Sequence, residues 1–244
     1  MKRLDGKTAL ITGGGSGIGA ACAAALAAEG CRVAICGRDA RKLETAAAAF
    51  KGEPKILAHP CDVADRASVA ALLAWAGKEL GRIDILINGA GTNVPNRLIG
   101  EVKPEDWDMI MAINVTGAFN MLKGVLPRMR ERRDGLVINI GSTAGLRAGA
   151  LGGVAYNASK FALKALSISV MDELREEGVR VTTIHPGEVD TPILANRPKP
   201  VTPEHRAKML HPEDVAAAVL MVACLPPRAE VTELTIKPIV QAFV

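Results

Sequence analysis

Aromatic residues make up only 3% of the 244 residues, and Tyr156 is the only tyrosine. Proteins that bind single-stranded nucleic acids stack the bases on aromatic side chains, and this sequence offers few of them. Its one basic cluster, within 128–133, is far shorter than the basic stripe that a nucleic-acid surface needs. We therefore expect no nucleic-acid partner and assign the cluster to the end of a surface helix.

Cysteine is scarce and follows no pattern. The five cysteines lack the spacing of metal ligands, and so do His185, His205 and His211. An odd count with apolar neighbours indicates buried free thiols in a reducing compartment. We expect neither a disulfide framework nor a bound metal.

Long apolar runs are missing as well. No uninterrupted run approaches the roughly 18 residues of a membrane span, and the beginning, MKRLDGK, lacks the apolar segment of a secretion signal. The sequence therefore predicts a soluble, cytoplasmic protein without a membrane partner.

Hydrophobic residues nevertheless reach 49%, which is enough for a sizeable core. Short apolar segments alternate with stretches of helical character, and no linker interrupts the alternation. Apolar character along a whole strand indicates that both of its faces are covered. The pattern predicts one domain over 1–244, an α/β doubly wound parallel sheet (Rossmann fold) in three α/β/α layers. The predicted strands are 8–11, 33–36, 55–58, 83–87, 136–140, 179–184 and 233–236, and the predicted helices are 17–29, 39–49, 66–80, 104–130, 155–177 and 212–224.

A glycine-rich turn, TGGGSGIG at 12–19, follows the first predicted strand and opens into a helix. Glycines allow a tight turn and let backbone N–H groups approach a pyrophosphate, which also faces the positive end of the helix dipole. Strand, glycine turn and helix in this order indicate a dinucleotide or nucleotide site. The residues expected to bind the cofactor here are Gly13, Ser16, Gly17, Ile18 and Gly19.

Tyr156 lies four residues before Lys160, so a helix would place both side chains on one face. A free tyrosine has a pKa of about 10 and is a poor proton shuttle at neutral pH unless a nearby cation stabilises its phenolate. A lysine one turn away supplies that cation. The pair alone is weak evidence, and its weight comes from the surrounding motifs.

Together these motifs resemble the short-chain dehydrogenase/reductase (SDR) family nearly end to end. The glycine turn has the spacing GxxxGxG rather than the commoner GxGxxG, and further family motifs follow the later predicted strands in order. These further motifs are Asp62-Val63, Asn88-Gly89-Ala90-Gly91, Asn114, Ser142, Tyr156 with Lys160, and Pro186-Gly187 followed by Thr191.

Two features depart from the family pattern. Gly89 stands where the family usually has a second asparagine, and the Ser142 to Tyr156 interval is one residue longer than the commonest form. We expect the longer interval to reshape the substrate wall, which would contain Ala144, Arg147 and Leu151.

The resemblance implies an enzyme that interconverts a carbonyl and a secondary alcohol by hydride transfer with a nicotinamide cofactor. Tyr156 is then the general acid or base, while Lys160 lowers its pKa and holds the nicotinamide ribose. Ser142 donates a hydrogen bond to the substrate oxygen, and Asn114 holds a water that links Lys160 to solvent. The resemblance also implies cofactor contacts from Asp62, Val63, Asn88, Ala90, Gly91, Tyr156, Lys160, Pro186, Gly187, Val189 and Thr191.

The end of the second predicted strand bears on the choice of cofactor. NAD-specific proteins usually place a carboxylate there, whereas this chain has Gly37 followed by Arg38. A guanidinium pairs well with the 2′-phosphate of NADP, and Asp39 fits the N-cap of the next helix. We predict a preference for NADP(H) over NAD(H), although Ser16 stands where many NADP(H)-dependent relatives have a second basic residue.

The substrate stays open at this point. The leading specific alternative is a 3-oxoacyl-[acyl-carrier-protein] reductase of fatty acid synthesis, which a basic rim would suit, but 232–238 lacks the glycine-rich ending of such reductases. A non-catalytic dinucleotide sensor is a remote alternative because the set Asn114, Ser142, Tyr156 and Lys160 is intact. The loop 92–100 offers no charge pattern that indicates a substrate.

Two further expectations concern the surface. Four prolines between 192 and 203 predict a mobile substrate lid over about 191–211. Apolar residues in the helices 104–130 and 155–177, with Ile239, Val240, Ala242 and Phe243, predict surfaces buried between subunits, and the family implies a homotetramer.

Overall fold

The computed structural model describes residues 2–242, in which seven strands form one parallel sheet. The strands are β1 (Thr8–Thr12), β2 (Arg32–Gly37), β3 (Leu57–Pro60), β4 (Ile85–Asn88), β5 (Gly135–Ile140), β6 (Val179–Pro186) and β7 (Glu233–Ile236). Their order across the sheet is β3-β2-β1-β4-β5-β6-β7. The chain therefore has the predicted Rossmann fold, and its order reverses direction between β1 and β4, where such folds bind their ligands.

Helices cover both faces of the sheet. They are α1 (Gly17–Ala28), α2 (Ala40–Ala49), α3 (Arg66–Leu80), α4 (Pro104–Met111), α5 (Gly117–Arg132), α6 (Val154–Glu173), α7 (Pro203–Arg206) and α8 (Pro212–Ala223). Short 3-10 turns lie at Thr143–Gly145 and Pro192–Asn196, and a π-helical turn lies at Ala112–Thr116.

The alternation of side chains along β1 explains the three layers. Ile11 points into a core that α1 and α8 complete, whereas its neighbour Leu10 points into a second core formed with α3, α5 and α6. Both side chains are fully buried. Each strand therefore needs apolar residues at successive positions, which is the pattern seen in the sequence.

The structure divides the predicted helix 104–130 into two α-helices. A π-helical turn interrupts it at Ala112–Thr116, between α4 and α5. A side chain at Gly117 would place its Cβ 2.5 Å from a methyl carbon of Val63, so this glycine lets the helix lie close to the chain after β3. Hydrophobic periodicity reports which face of a helix is buried and does not reveal a one-turn change in winding.

The helical stretch Pro104–Arg132 is long and apolar enough to cross a membrane by length and composition. Half of its most apolar window is buried inside the fold, and α5 packs against α3 and the sheet. We therefore assign it as a core helix.

Large apolar side chains are exposed on the outer faces of α5 and α6, among them Phe119, Phe161 and Ile168. Ile239 and Val240 are also exposed, while Phe243 lies outside the described residues. The homotetramer remains a prediction.

Candidate active site

A cleft of about 620 Å³ lies at the carboxyl ends of the central strands. Its wall contains the glycine turn after β1, the segment after β5, the start of α6 and the turn after β6. Most of the predicted site residues line this cleft: Gly13, Ser16, Gly17, Ile18, Gly19, Gly91, Ser142, Tyr156, Lys160, Pro186, Gly187, Val189 and Thr191. The predicted substrate wall of Ala144, Arg147 and Leu151 lines it too.

The glycine turn has the shape of a pyrophosphate cradle. Gly13 adopts a left-handed backbone with φ +70, and a Cβ there would lie 2.7 Å from the carbonyl oxygen of Gly89. A Cβ at Gly19 would lie 2.4 Å from the carbonyl oxygen of Gly13. Ser16, at the N-cap of α1, makes no side-chain capping hydrogen bond, so α1 presents N–H groups toward the turn. These features fit a dinucleotide phosphate group.

Thr12 ties this turn to the one after β4. Its buried hydroxyl accepts hydrogen bonds from the backbone N–H groups of Gly89 and Ala90, both at 3.1 Å. A Cβ at Gly89 would lie 2.7 Å from the Thr12 carbonyl oxygen. The departure from the family pattern at position 89 therefore coincides with a very close approach of two backbones.

Tyr156 and Lys160 share one face of α6, as predicted. The Lys160 Nζ lies 5.6 Å from the centroid of the Tyr156 ring and donates a hydrogen bond to the Ile140 carbonyl oxygen at 2.9 Å. Lys160 is only 5% exposed, and this burial lowers its pKa to about 8.

The predicted lowering of the Tyr156 pKa by Lys160 is not found. Burial raises the pKa of Tyr156, and the two opposing influences are hydrogen bonding with Ser142 and the positive charge of Arg97. Desolvation is the largest influence on both groups, because burial disfavours the charged phenolate as well as the charged ammonium.

Ser142 is held in place from two sides. Its Oγ accepts a hydrogen bond from the Ala144 N–H at 3.1 Å, so the residue caps the 3-10 turn after β5. Its carbonyl oxygen lies 3.1 Å from Nδ1 of His185, which is fully buried. His185 therefore has a structural role beside Ser142.

Asn114 lies within the π-helical turn and is 1% exposed. Its Oδ1 accepts from the Thr92 N–H at 2.8 Å, and its Nδ2 donates to the Thr92 carbonyl and to Ser159 Oγ. A Cβ at Gly91 would lie 3.6 Å from this Oδ1 and 3.7 Å from the Lys160 Nζ. Glycine at 91 therefore leaves space between the amide and the ammonium.

Six predicted site residues do not line this cleft. Asn114 lies behind it, as described above, and Asn88 is buried, donating to Asn139 Oδ1 at 2.8 Å. Asp62 accepts from the Ala64 N–H, and Arg38 is exposed beyond β2. The remaining two are Val63 and Ala90. The expected N-cap role of Asp39 is confirmed by its bond from the Lys42 N–H at 3.1 Å.

Arg97, in the loop 92–100, lines the cleft but was not among the residues predicted from the sequence. Arg97 lines the cleft although only 6% of it is exposed. It donates to the carbonyl oxygens of Val94 at 2.8 Å and Leu151 at 2.7 Å, and also to that of Asn196. A basic residue in a loop between a strand end and a helix was the only available signal.

The predicted lid segment is attached to the turn after β6 by ion pairs. Glu188 accepts from Arg197 at 2.8 Å and contacts His205 at 2.7 Å, and Arg206 lies 2.9 Å from Asp190. These pairs hold 197–206 beside the cleft. Gln241 adds the chain end to the same wall, since its side chain accepts from the Glu188 N–H at 3.0 Å.

The fold and this cleft together define an oxidoreductase of Rossmann type. A family model described as short chain dehydrogenase matches residues 7–201. The chain therefore belongs to the short-chain dehydrogenase family, as its motifs predicted.

Individual relatives match over nearly the whole chain. An uncharacterized oxidoreductase of Staphylococcus aureus is 35% identical over 239 residues, which are 98% of this chain and 100% of the relative. A serine dehydrogenase solved in its closed form with NADP+ has a TM-score of 0.87 at 32% identity, covering 97% of this chain and 96% of that one. A 3-ketoacyl-(acyl-carrier-protein) reductase of Brucella melitensis solved with NADH has a TM-score of 0.86 at 30% identity, with 96% and 98% covered.

Proposed function

We propose that this oxidoreductase interconverts a carbonyl and a secondary alcohol with NADP(H), using Tyr156 as the general acid or base. The observation that carries the proposal is the convergence of Tyr156, Ser142 and Lys160 in the wall of one cleft. When bound, the nicotinamide would supply or accept the hydride.

The chain's own residues would handle the oxygen and its proton. In reduction, the Tyr156 phenol donates its proton to the substrate oxygen, and in oxidation the phenolate removes the proton from the alcohol. Ser142 donates a hydrogen bond to the same oxygen, where negative charge develops. The Asn114 Oδ1 and the Lys160 Nζ both border the space beside Gly91, which supports a proton path that runs from Lys160 past Asn114.

The residues present fit a dinucleotide. The glycine cradle would hold the pyrophosphate, Lys160 the nicotinamide ribose, and Val189 and Thr191 the carboxamide side of the ring. For the adenosine end we propose that Arg38 binds the 2′-phosphate, because it is exposed, follows β2 directly and has no carboxylate before it at Gly37. The solved serine dehydrogenase contains NADP+, whereas the ketoacyl reductase contains NADH.

The test is Tyr156→Phe, which removes the transferable proton and keeps the ring. General acid or base catalysis contributes about 10²- to 10⁴-fold, so we expect kcat to fall by roughly that factor on any accepted alcohol or ketone. Cofactor affinity, followed by NADPH fluorescence, should remain within about threefold. Near-normal turnover would refute the role of Tyr156. A panel of ketones, aldehydes, sugars and 3-oxoacyl thioesters with both cofactors identifies the substrate class.

A 3-oxoacyl-[acyl-carrier-protein] reductase remains the second candidate, since a solved relative with that activity covers nearly the whole chain. Turnover of 3-oxoacyl thioesters in preference to simple ketones would establish it. We also propose a homotetramer in the cytoplasm, on the basis of the exposed apolar faces of α5 and α6 and the free cysteines. A mass measurement in solution tests the assembly.

A further inference from the structure

The wall of the cleft has an excess of positive charge. Its cationic side chains are Arg97, Arg147, Lys160 and Arg197, whereas Glu188 is its only carboxylate in the part of the chain that the structure describes. Glu188 is already paired with Arg197 and with His205 of the lid segment. The remaining cations have no acidic partner in the wall, so the cleft favours an anionic ligand.

Arg97 is the most informative of these cations because it is buried. None of the acidic residues within 2–242 lies within ion-pair distance of its guanidinium. Its pKa is lowered, first by burial and then by the charge of Arg197. A buried charge without a counter-ion is costly, and a ligand carboxylate in the cleft would supply the missing counter-ion.

The Arg97 guanidinium is also held in a fixed position, and not all of its N–H donors are occupied by its hydrogen bonds. Its bonds to the carbonyl oxygens of Val94, Leu151 and Asn196 hold it between three segments of the wall. A guanidinium has more N–H donors than these bonds occupy. A Cβ at Gly153 would lie 2.4 Å from the Cβ of Arg97, so the arginine packs against the residue that precedes α6 and its Tyr156.

We propose that Arg97 binds a carboxylate of the substrate, so that the enzyme interconverts a small hydroxy acid and the corresponding oxo acid. The inference rests on the proposed function and adds the substrate class to it. On oxidation the substrate loses a hydride to the oxidised cofactor and its hydroxyl proton to Tyr156, and the carboxylate stays bound to Arg97. A neutral thioester would leave this charge without a partner, which argues against the acyl-carrier substrate.

The experiment compares acids with their neutral amides. Hydroxy acids of three and four carbons and the matching primary amides are oxidised with NADP+ by the wild type, Arg97→Met, Arg97→Lys and Arg228→Met. Arg228 is exposed and outside the cleft, so its variant controls for the loss of one positive charge. We expect the wild type to prefer the acid, and Arg97→Met to lower kcat/KM for the acid by roughly 100-fold, mainly through KM.

The ratio of acid to amide separates recognition from a structural role. If Arg97 binds the carboxylate, Arg97→Met leaves the amide rate within about threefold, Arg97→Lys recovers part of the acid preference, and Arg228→Met changes neither. If Arg97 only ties the wall together, both substrates lose the same factor and the ratio is unchanged. That result, or a wild type that prefers the amides, overturns the proposal.

A binding measurement covers the case in which no alcohol reacts. Calorimetric titration of the NADP+ complex with butyrate and with butyramide should show binding of butyrate to the wild type and its loss in Arg97→Met. Turnover of neutral alcohols without butyrate binding overturns the role of Arg97 and leaves the proposed function intact. Butyrate binding without turnover of any alcohol or carbonyl overturns the proposed function instead.

Discussion

Lys160 should destabilise the folded chain at neutral pH, because its ammonium is buried with one carbonyl partner. Burial lowers its pKa from 10.5 to about 8. Each pKa unit corresponds to about 1.36 kcal/mol, so the charged lysine costs about 3 kcal/mol at pH 7. Replacing it with methionine removes this cost but also the hydrogen bond to Ile140, worth about 1–2 kcal/mol. Lys160→Met should therefore be more stable than the wild type by about 1–2 kcal/mol at pH 7 and should lose turnover.

The pH dependence of the free energy of unfolding separates the cost of the Lys160 charge from the contribution of its hydrogen bond. Since the folded pKa of Lys160 lies below the unfolded one, the folded chain holds fewer protons than the unfolded chain between about pH 8 and 10.5. Wild-type stability therefore rises with pH across that window, relative to a variant without the amine. The stability advantage of Lys160→Met should shrink by about 2 kcal/mol from pH 7 to pH 9.5.

Urea denaturation of the cofactor-free protein at several pH values measures this difference, since titrations common to both proteins cancel. Lys78→Met is the matched control, because it removes an exposed lysine from α3 and should shift stability by less than about 0.5 kcal/mol. A pH-independent gap between the wild type and Lys160→Met would refute the reasoning.

Two further predictions concern the cofactor. Arg38→Asp should reverse the preference from NADP(H) to NAD(H), and Arg41→Asp on α2 is the matched control. If the ratio of kcat/KM with NADPH to kcat/KM with NADH is unchanged in Arg38→Asp, the role of Arg38 is contradicted. Gly19→Ala forces its Cβ to within 2.4 Å of the Gly13 carbonyl oxygen, so we expect NADPH affinity to fall at least about tenfold. A Cβ at Gly100 meets nothing within 4 Å, and Gly100→Ala should bind NADPH normally in the same fluorescence titration.

The fold was predictable because two independent patterns agree. Continuous apolar strands require a sheet covered on both faces, and alternating helices supply that cover. Strand boundaries were predicted less well than the strands themselves: β3 was predicted at 55–58 and lies at Leu57–Pro60. The π-helical turn at Asn114 was not predicted, because hydrophobic periodicity does not reveal a one-turn change in winding.

The sequence alone determined the layer order, the glycine cradle and the placement of Tyr156 and Lys160 one turn apart, since these depend on local spacing. Only the tertiary structure decided their electrostatics. Burial lowers the pKa of Lys160 and raises that of Tyr156. The fold also brings Arg97, from a loop distant in sequence, into the same wall. The physical reason is that desolvation and charge proximity depend on what surrounds a group in space, which no spacing along the chain records.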